Sequence, residues 1–310
     1  MHRQLTASCC EPISTSSQFD GCNLSVIIPV CDGSAHLHKC LSGLERAREQ
    51  EFGGVEVIVV ADNCADDSAE VARRLGAQVI ETGPVGPAIA RNLGAAVAQG
   101  EILVFLDADV EVHADTLVRI QRMLQENENV HAVFGAYDAF PSEVNLISQF
   151  RNLFHHHTHR VSRGVASTFW TGCGGIRRNV FQAMDGFAKD YSRPSIEDIQ
   201  LGLRLNRAGY CVVKDENIQV THHKRWTLSK MIMTDVLQRA IPWTRLMWKH
   251  GKLADDLNLR ASQRIAAGAA VVLCLVIMLS TFSSGLVAVW ALATVLCVLA
   301  SDFRMASVST

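Results

Sequence analysis

The feature that most constrains the fold is a repeated alternation, from Leu24 onward, of short apolar runs with longer segments of helical periodicity. The runs Leu24–Val30, Val55–Val60 and Ile102–Leu106 are predominantly apolar, as buried strands of a parallel sheet are. The segments between them place apolar residues three or four positions apart, which predicts helices. Strands that alternate with helices predict an α/β fold with a doubly wound, mostly parallel sheet.

Two of the predicted strands end directly in acidic residues. Asp62 follows the Val55 strand, and Asp107 and Asp109 follow the Ile102 strand. Ligands of such sheets bind beyond the carboxyl ends of the strands, so we expect these acids at one edge. Asp107 and Asp109 flank a single residue, and two carboxylates on one face of an extended backbone suit Mg²⁺ or Mn²⁺. The alternative is a solvated turn whose acids cap the next helix.

A loop rich in glycine and proline, residues 83–87, leads into a helix that carries Arg91. Backbone N–H groups of such a loop, together with Arg91, can help to bind a diphosphate. The alternative for Arg91 is an ordinary surface charge.

These segments form an ordered series, and the series resembles family 2 glycosyltransferases of the GT-A fold. The stretches that carry the resemblance are Ile28-Pro29-Val30, Asp62, Ala90-Arg91-Asn92, Leu106-Asp107-Ala108-Asp109, Thr171-Gly172-Cys173-Gly174-Gly175 and Ile196-Glu197-Asp198. The resemblance extends from about Leu24 to Trp243.

The resemblance implies a role for each matching position. The donor is a UDP- or GDP-sugar, held by Pro29, Asp62, Arg91 and Asp107. A Mg²⁺ or Mn²⁺ ion that bridges the diphosphate is held by Asp109 and Asp107, with His222 as a third ligand. Asp198 is the base that takes the proton of the acceptor hydroxyl, so that one displacement inverts the anomeric centre. The acceptor side is lined by Gly172, Cys173, Gly174, Glu197 and Trp243.

Several of these residues also have a structural interpretation. Glu197 and Asp198 open a predicted helix, where the helix dipole favours acids. His222 can be a hydrogen-bonded histidine at the edge of the domain. The cluster His155–His159 cannot direct successive side chains at one ion, so we expect a solvated or acceptor-side helix there.

Two departures from the family pattern limit the assignment. The second strand ends in Ala61-Asp62-Asn63, with one acid where the family usually has two. In processive members an arginine precedes the tryptophan of a Gln-Arg tract, whereas here Pro242 precedes Trp243. We therefore expect the transfer of single sugars.

The C-terminal part of the sequence predicts a membrane association. Residues 265–282 and 285–300 contain no charged side chain, which predicts a transmembrane helical hairpin; the alternative is a hairpin buried in a soluble core. Arginines at both ends predict that the catalytic domain lies on the cytoplasmic side. Residues 226–264 mix tryptophans with Lys and Arg, which is typical of amphipathic helices at a membrane surface. A polyprenyl-phosphate or glycolipid acceptor fits this placement.

The predicted organisation is a tail (1–23), a catalytic domain (24–225), interface helices (226–264), the hairpin (265–300) and a second tail (301–310). The net charge of -2 gives no reason to expect nucleic acid as a partner, and the ten scattered cysteines predict reduced thiols. Two competing functions are a catalytically silent nucleotide-sugar binding protein and a sugar-nucleotide pyrophosphorylase. The second normally has a basic, glycine-rich loop after its first strand, and Cys31-Asp32-Gly33-Ser34 lacks one.

Overall fold

A computed structural model describes residues 24–48, 54–161, 164–191 and 193–250. Within these residues one sheet contains the strands β1 (Leu24–Val30), β2 (Val55–Asp62), β3 (Gln78–Thr82), β4 (Ile102–Leu106), β5 (Val110–Val112), β6 (Ala132–Tyr137), β7 (Gly164–Val165), β8 (Cys173–Arg177) and β9 (Val212–His222). The helices are α1 (Ser34–Arg48), α2 (Ser68–Arg74), α3 (Pro87–Val97), α4 (Thr116–Glu126), α5 (Leu146–Val161), α6 (Arg178–Ala183), α7 (Glu197–Arg207), α8 (Leu228–Met233) and α9 (Ile241–His250), with a π-helical segment, Thr234–Ala240, between the last two.

The sheet is mixed, which confirms the predicted α/β class, but among the described residues only four of the eight strand pairings are parallel. Its order is β3-β2-β1-β4-β8-β6-β9-β5, and β7 also pairs with β9. Strands β3, β2, β1 and β4 are mutually parallel, whereas β8 runs antiparallel between β4 and β6. The carboxyl ends of β2 and β4 therefore lie at the same edge, and that edge carries the acidic residues.

Pro29 lies in β1, which is a central strand and would normally exclude proline. The pairing of β1 with β4 ends at Ile27, although the pairing with β2 continues to Val30. Pro29 is thus bordered by β2 alone, an edge position in which a missing N–H is tolerated.

Helix α4 covers β8 with a stripe of buried residues at helical spacing: Leu117, Ile120 and Leu124. The strand accommodates the helix because Gly175 has no side chain. A Cβ atom at this glycine would lie 2.4 Å from Ile120 Cγ2.

The helical stretch after the sheet contains a proline next to the π-helical segment. Pro242 has no N–H to donate to the Gln238 carbonyl four residues earlier. That carbonyl instead accepts a hydrogen bond from the Ser195 hydroxyl at 2.8 Å. The proline thus leaves a backbone acceptor for the loop that precedes Asp198.

Among the described residues, no helix combines the length and apolar character needed to cross a bilayer. The predicted hairpin, both tails and the end of the predicted interface segment lie outside those residues. Among the described residues, Cys31, Cys40, Cys64 and Cys173 form no disulfide.

Candidate active site

The acid turn, residues 107–109 between β4 and β5, presents two carboxylates. All of β4 is buried, whereas the side chains of Asp107 and Asp109 are 34% and 19% exposed. The Asp109 carbonyl accepts a hydrogen bond from the His223 N–H at 2.8 Å, next to the pairing of Val110 with His222. The end of β9 therefore places His222, and His223 directly after it, beside the acid turn.

His222 faces Asp109 with an imidazole nitrogen. Its Nδ1 lies 2.6 Å from Asn152 Oδ1, and its Nε2 lies 3.6 Å from Asp109 Oδ2. The amide oxygen of Asn152 can accept a hydrogen bond from Nδ1, and Nε2 faces the Asp109 carboxylate. The Tyr137 ring stacks on the imidazole at 4.3 Å, with 10° between the planes, and fixes its orientation. A carboxylate oxygen and an imidazole nitrogen therefore face each other at the edge of the sheet.

His223 does not compete for this position. Its Nδ1 lies 3.0 Å from the Ser142 hydroxyl and its Nε2 lies 2.7 Å from Glu111 Oε2, so both ring nitrogens already have protein partners. Of the two adjacent histidines, the contacts leave His222 able to bind a cation.

Lys224 also reaches the acid turn. Its Nζ lies 3.4 Å from Asp109 Oδ2, and its side chain is 48% exposed. Burial opposes the ionisation of Asp109, but the adjacent His222 and Lys224 outweigh it and hold the pKa of Asp109 well below its usual range. The carboxylate is therefore ionised and able to attract a cation.

Arg91 connects the acid turn to helix α7. It is buried, and its Nη2 donates to Asp107 Oδ1 while its Nη1 donates to Glu197 Oε1, both at 2.8 Å. Burial alone would lower its pKa, but the charges of Asp107 and Glu197 raise the pKa of Arg91 and keep it cationic. The sequence predicts that Arg91 binds the nucleotide-sugar donor. In the fold its two terminal nitrogens bind the protein's own carboxylates.

Glu197 and Asp198 have different surroundings although they are neighbours. Glu197 is buried, and its second carboxylate oxygen accepts from the Ser195 N–H at 2.9 Å. Asp198 has only longer contacts to Thr171, at 3.4 and 3.5 Å, besides the N–H of Ile199 at 2.7 Å. Burial and the charge of Glu197 raise the pKa of Asp198 to about 7, although Arg91 opposes the shift. Glu197 is thus an anchor, and Asp198 is the carboxylate suited to proton transfer.

Asp62 holds the glycine- and proline-rich loop. Its two oxygens accept from the N–H groups of Val85 and Gly86 at 2.8 and 2.9 Å. Gly86 has a φ of 82°, in the left-handed region that glycine favours, and Pro87 begins α3. This contact is local to the loop, and the base-binding role of Asp62 remains a prediction.

The remaining predicted residues lie around this site or beside it. Cys173 and Gly174 belong to β8 and pair with Leu106 and Phe105 of β4, so they border the acid turn. The Gly172 carbonyl lies 3.5 Å from the Asp107 N–H. Trp243 is half-buried on α9, and no contact places it in the site.

The histidine cluster on α5 is oriented largely toward the sheet. Nδ1 of His156 lies 2.7 Å from the Tyr137 carbonyl, and Nδ1 of His159 lies 3.0 Å from the Gly135 carbonyl. His157 alone of the cluster is exposed. The hydrogen bonds of His156 and His159 attach α5 to β6, so the cluster is not solvated as a whole, and the acceptor-side alternative stays a prediction.

Sequence reasoning assigned no site role to Asn152 and Lys224, and it named Thr171 only within the stretch that carries the family resemblance. Lys224 stands two positions after His222, a spacing that places both side chains on one face of an extended chain and was a usable signal. Asn152 had none, because it reaches the site from another element of the fold.

A surface cavity of about 470 Å³ lies at the other end of the sheet, where β6 begins and β8 ends. His131, Arg177 and Tyr210 are among its lining residues, and it includes none of the predicted site residues.

This arrangement, with an acid turn after a central strand and a carboxylate at the start of a facing helix, defines a GT-A-like glycosyltransferase architecture. The sequence profile of glycosyl transferase family 2 matches residues 25–184, more than half of the chain. The chain belongs to this family.

Curated relatives match part of the chain. A 4,4'-diaponeurosporenoate glycosyltransferase of Staphylococcus haemolyticus is 32% identical over 142 residues, which are 41% of this chain and 37% of the relative. A GalNAc(5)-diNAcBac-PP-undecaprenol beta-1,3-glucosyltransferase of Campylobacter jejuni is 31% identical over 137 residues, 41% of each chain. The matched region thus spans well under half of these relatives.

Solved structures share the fold. The mannosyltransferase PcManGT of Pyrobaculum calidifontis, in complex with GDP-Man and Mn²⁺, aligns with a TM-score of 0.61 at 18% identity, covering 91% of this chain and 75% of the other. TarS 1–349 of S. aureus, in complex with UDP-GlcNAc, aligns with a TM-score of 0.51 at 16% identity, covering 66% and 59%.

Proposed function

We propose that this chain is an inverting, metal-dependent glycosyltransferase that moves one sugar from a nucleotide diphosphate sugar to a lipid-linked acceptor. The observation that carries the proposal is the pair of carboxylates with opposite proton affinities: Asp109 ionised at the acid turn, and Asp198 with a pKa of about 7 at the start of α7. The Arg91 bridge through Asp107 and Glu197 links the elements that carry them.

Asp198 is the proposed general base. A hydroxyl that attacks an anomeric carbon loses its proton as the new bond forms, and a carboxylate with a pKa near 7 can accept that proton. The sugar moves in one displacement from the diphosphate to the acceptor oxygen, so the anomeric configuration inverts. Thr171 and the N–H of Ile199 orient the carboxylate for this step.

Asp109, His222 and Asp107 are the proposed metal ligands. An imidazole beside carboxylates suits a transition ion such as Mn²⁺ better than Mg²⁺, which prefers oxygen alone. A bound divalent ion would stabilise the charge that develops on the departing diphosphate. Asn152 would hold the proton on Nδ1 when His222 Nε2 binds the ion, and the ionised Asp109 supplies the negative charge. The structure shared with a GDP-Man and Mn²⁺ complex supports this assignment.

The lipid-linked acceptor rests on two observations. One relative acts on an undecaprenol-linked saccharide, as its name states. The sequence also contains the uncharged run at residues 265–282. We propose accordingly that the protein is membrane-associated, with its catalytic domain on the cytoplasmic side.

The test uses the full chain in lipid nanodiscs. Thermal stabilisation by UDP- and GDP-sugars with Mn²⁺ identifies the donor, because a ligand that binds only the folded state raises the melting temperature. Transfer is then measured to polyprenyl phosphates and glycolipids. We expect Asp198→Asn to abolish transfer while donor stabilisation persists, and the exposed Asp190→Asn on a nearby loop to retain both. Donor binding without transfer to any acceptor by the unmodified chain would instead identify a silent binding protein.

A further inference from the structure

Helix α5 has two chemically different faces. Its inner face supports the candidate site, since Asn152 binds His222 and His156 binds the Tyr137 carbonyl. Its outer face carries Leu146 and Phe150, which are 80% and 56% exposed, and Phe154, which is 39% exposed. The rings of the two phenylalanines, four positions apart, stack with their centroids 6.0 Å apart. Such a large apolar surface on a helix indicates a binding face.

A second element, joined to α5, also exposes apolar side chains. The helical stretch that begins with α8 exposes Ile232, Val236 and Leu237 by 51%, 46% and 51%. It is fixed to α5 by a two-pronged ion pair, in which Arg151 donates to both oxygens of Asp235 at 2.6 and 2.8 Å. The two helices therefore act as one rigid unit with apolar side chains on its surface.

The charge around these helices selects the partner. Residues 224–250 contain six Lys and Arg and a single acid, Asp235, although the whole chain has a net charge of -2. The acid is already paired with Arg151, whereas Arg225 and Lys230 are exposed. A cationic rim around apolar side chains complements an anionic lipid surface. The same rim would repel a second copy of itself.

We propose that Leu146, Phe150, Phe154, Ile232, Val236 and Leu237 form a docking face that inserts into the headgroup region of an anionic bilayer. This proposal rests on the proposed function, in which the acceptor is lipid-linked, and extends it to the surface that contacts the lipid. Because α5 holds His222 on its inner side and the docking face on its outer side, docking would place the candidate site next to the lipid phase. The docking step itself involves no sugar transfer and is testable without it.

The experiment places a photo-crosslinking amino acid, p-benzoylphenylalanine, at position 150, 154 or 236 of the full chain. Leu75 and Val97, exposed by 38% and 42% at the ends of α2 and α3, are the control positions. Chains are reconstituted into vesicles of phosphatidylcholine with or without phosphatidylglycerol and irradiated. We expect lipid adducts at the docking face, at least threefold more with phosphatidylglycerol, and background levels at both controls.

Every other product overturns the proposal. Crosslinked dimers would show that the face binds a second copy, and adducts to residues 252–310 would show that the chain covers the face itself. The absence of any adduct, with lipid or with protein, would show that the face is open to water. Since no donor or acceptor is present, a failure here is distinct from a failure of the transfer assay. Conversely, docking without transfer would leave the face established and the proposed function in error.

Discussion

Arg91 Nη1 lies 2.8 Å from Glu197 Oε1, and this buried contact joins residues 106 positions apart in the sequence. The second terminal nitrogen of the same guanidinium donates to Asp107. One arginine thus connects the acid turn after β4 to the first turn of α7. The acid turn carries the ionised Asp109, and α7 carries Asp198 with its raised pKa. The Cζ atom of Arg91 lies 5.8 Å from the centre of the Phe187 ring, which covers the guanidinium with an apolar surface.

The first prediction concerns the stability provided by this bridge. Arg91→Met would leave the carboxylates of Asp107 and Glu197 without their cation, and breaking a buried pair in this way costs about 3–5 kcal/mol of unfolding free energy. Denaturant unfolding followed by circular dichroism measures the loss. The matched control is Arg73→Met, which removes an exposed pair with Glu81 and should cost at most about 1 kcal/mol. Equal losses in the two variants would refute a structural role for the bridge.

The second prediction concerns the pH dependence of transfer. With a pKa of about 7, Asp198 is protonated in acid, so kcat/KM should fall about tenfold per pH unit below 7 and level off above it. The profile is measured from pH 5 to pH 9 with Mn²⁺ saturating at each pH, and Asp190→Asn should not change it. A profile with its inflection near pH 4 would contradict the raised pKa of the base.

The same raised pKa predicts an effect on stability. The folded protein binds the Asp198 proton more tightly than the unfolded chain, whose carboxyl has an ordinary pKa of 3.8. The contribution of Asp198 to the unfolding free energy therefore declines as the pH rises from about 4 to about 7. Asp198→Asn should remove this decline, so that the variant gains stability relative to the parent at pH 8.

The third prediction concerns the tautomer of His222. Asn152→Ala removes the acceptor that keeps the proton on Nδ1, so the affinity for Mn²⁺ should fall about 10- to 100-fold. Asn152→Asp keeps an acceptor there and should restore the affinity. Asn217→Ala, at an exposed position on β9, is the control. Calorimetric titration with Mn²⁺ measures the affinities, and a wild-type value for Asn152→Ala would argue against His222 as a ligand.

The fourth prediction concerns the close packing of β8 beside the acid turn. A Cβ atom at Gly174 would lie 2.4 Å from the Trp170 carbonyl and 2.7 Å from Phe169 Cζ. Gly174→Ala should therefore lower the unfolding free energy by about 1–3 kcal/mol. At Gly83 nothing lies within 4 Å of the added methyl group. Gly83→Ala should be neutral or stabilising by up to about 1 kcal/mol, and a loss there would show that the loop needs glycine for its backbone.

Local patterns in the sequence predicted much of the sheet and the acid turn. Strand β4 was predicted with its observed bounds, and the acids after it lie where the rule for parallel sheets puts them. Periodicity cannot reveal strand direction, so the antiparallel insertion of β8 between β4 and β6 was not predicted. The need for glycine in β8 is visible only in the fold, where Trp170 and Ile120 leave no room for a side chain.

The sequence by itself determined the fold class and the chemical types at the edge of the sheet, because apolar spacing and short motifs act over a few residues. The tertiary structure decided which groups remain available. It paired Arg91 with two acids, gave His223 two partners while leaving His222 Nε2 toward Asp109, and held Glu197 while raising the pKa of Asp198. These outcomes depend on contacts between distant parts of the chain, and on the burial that packing alone creates.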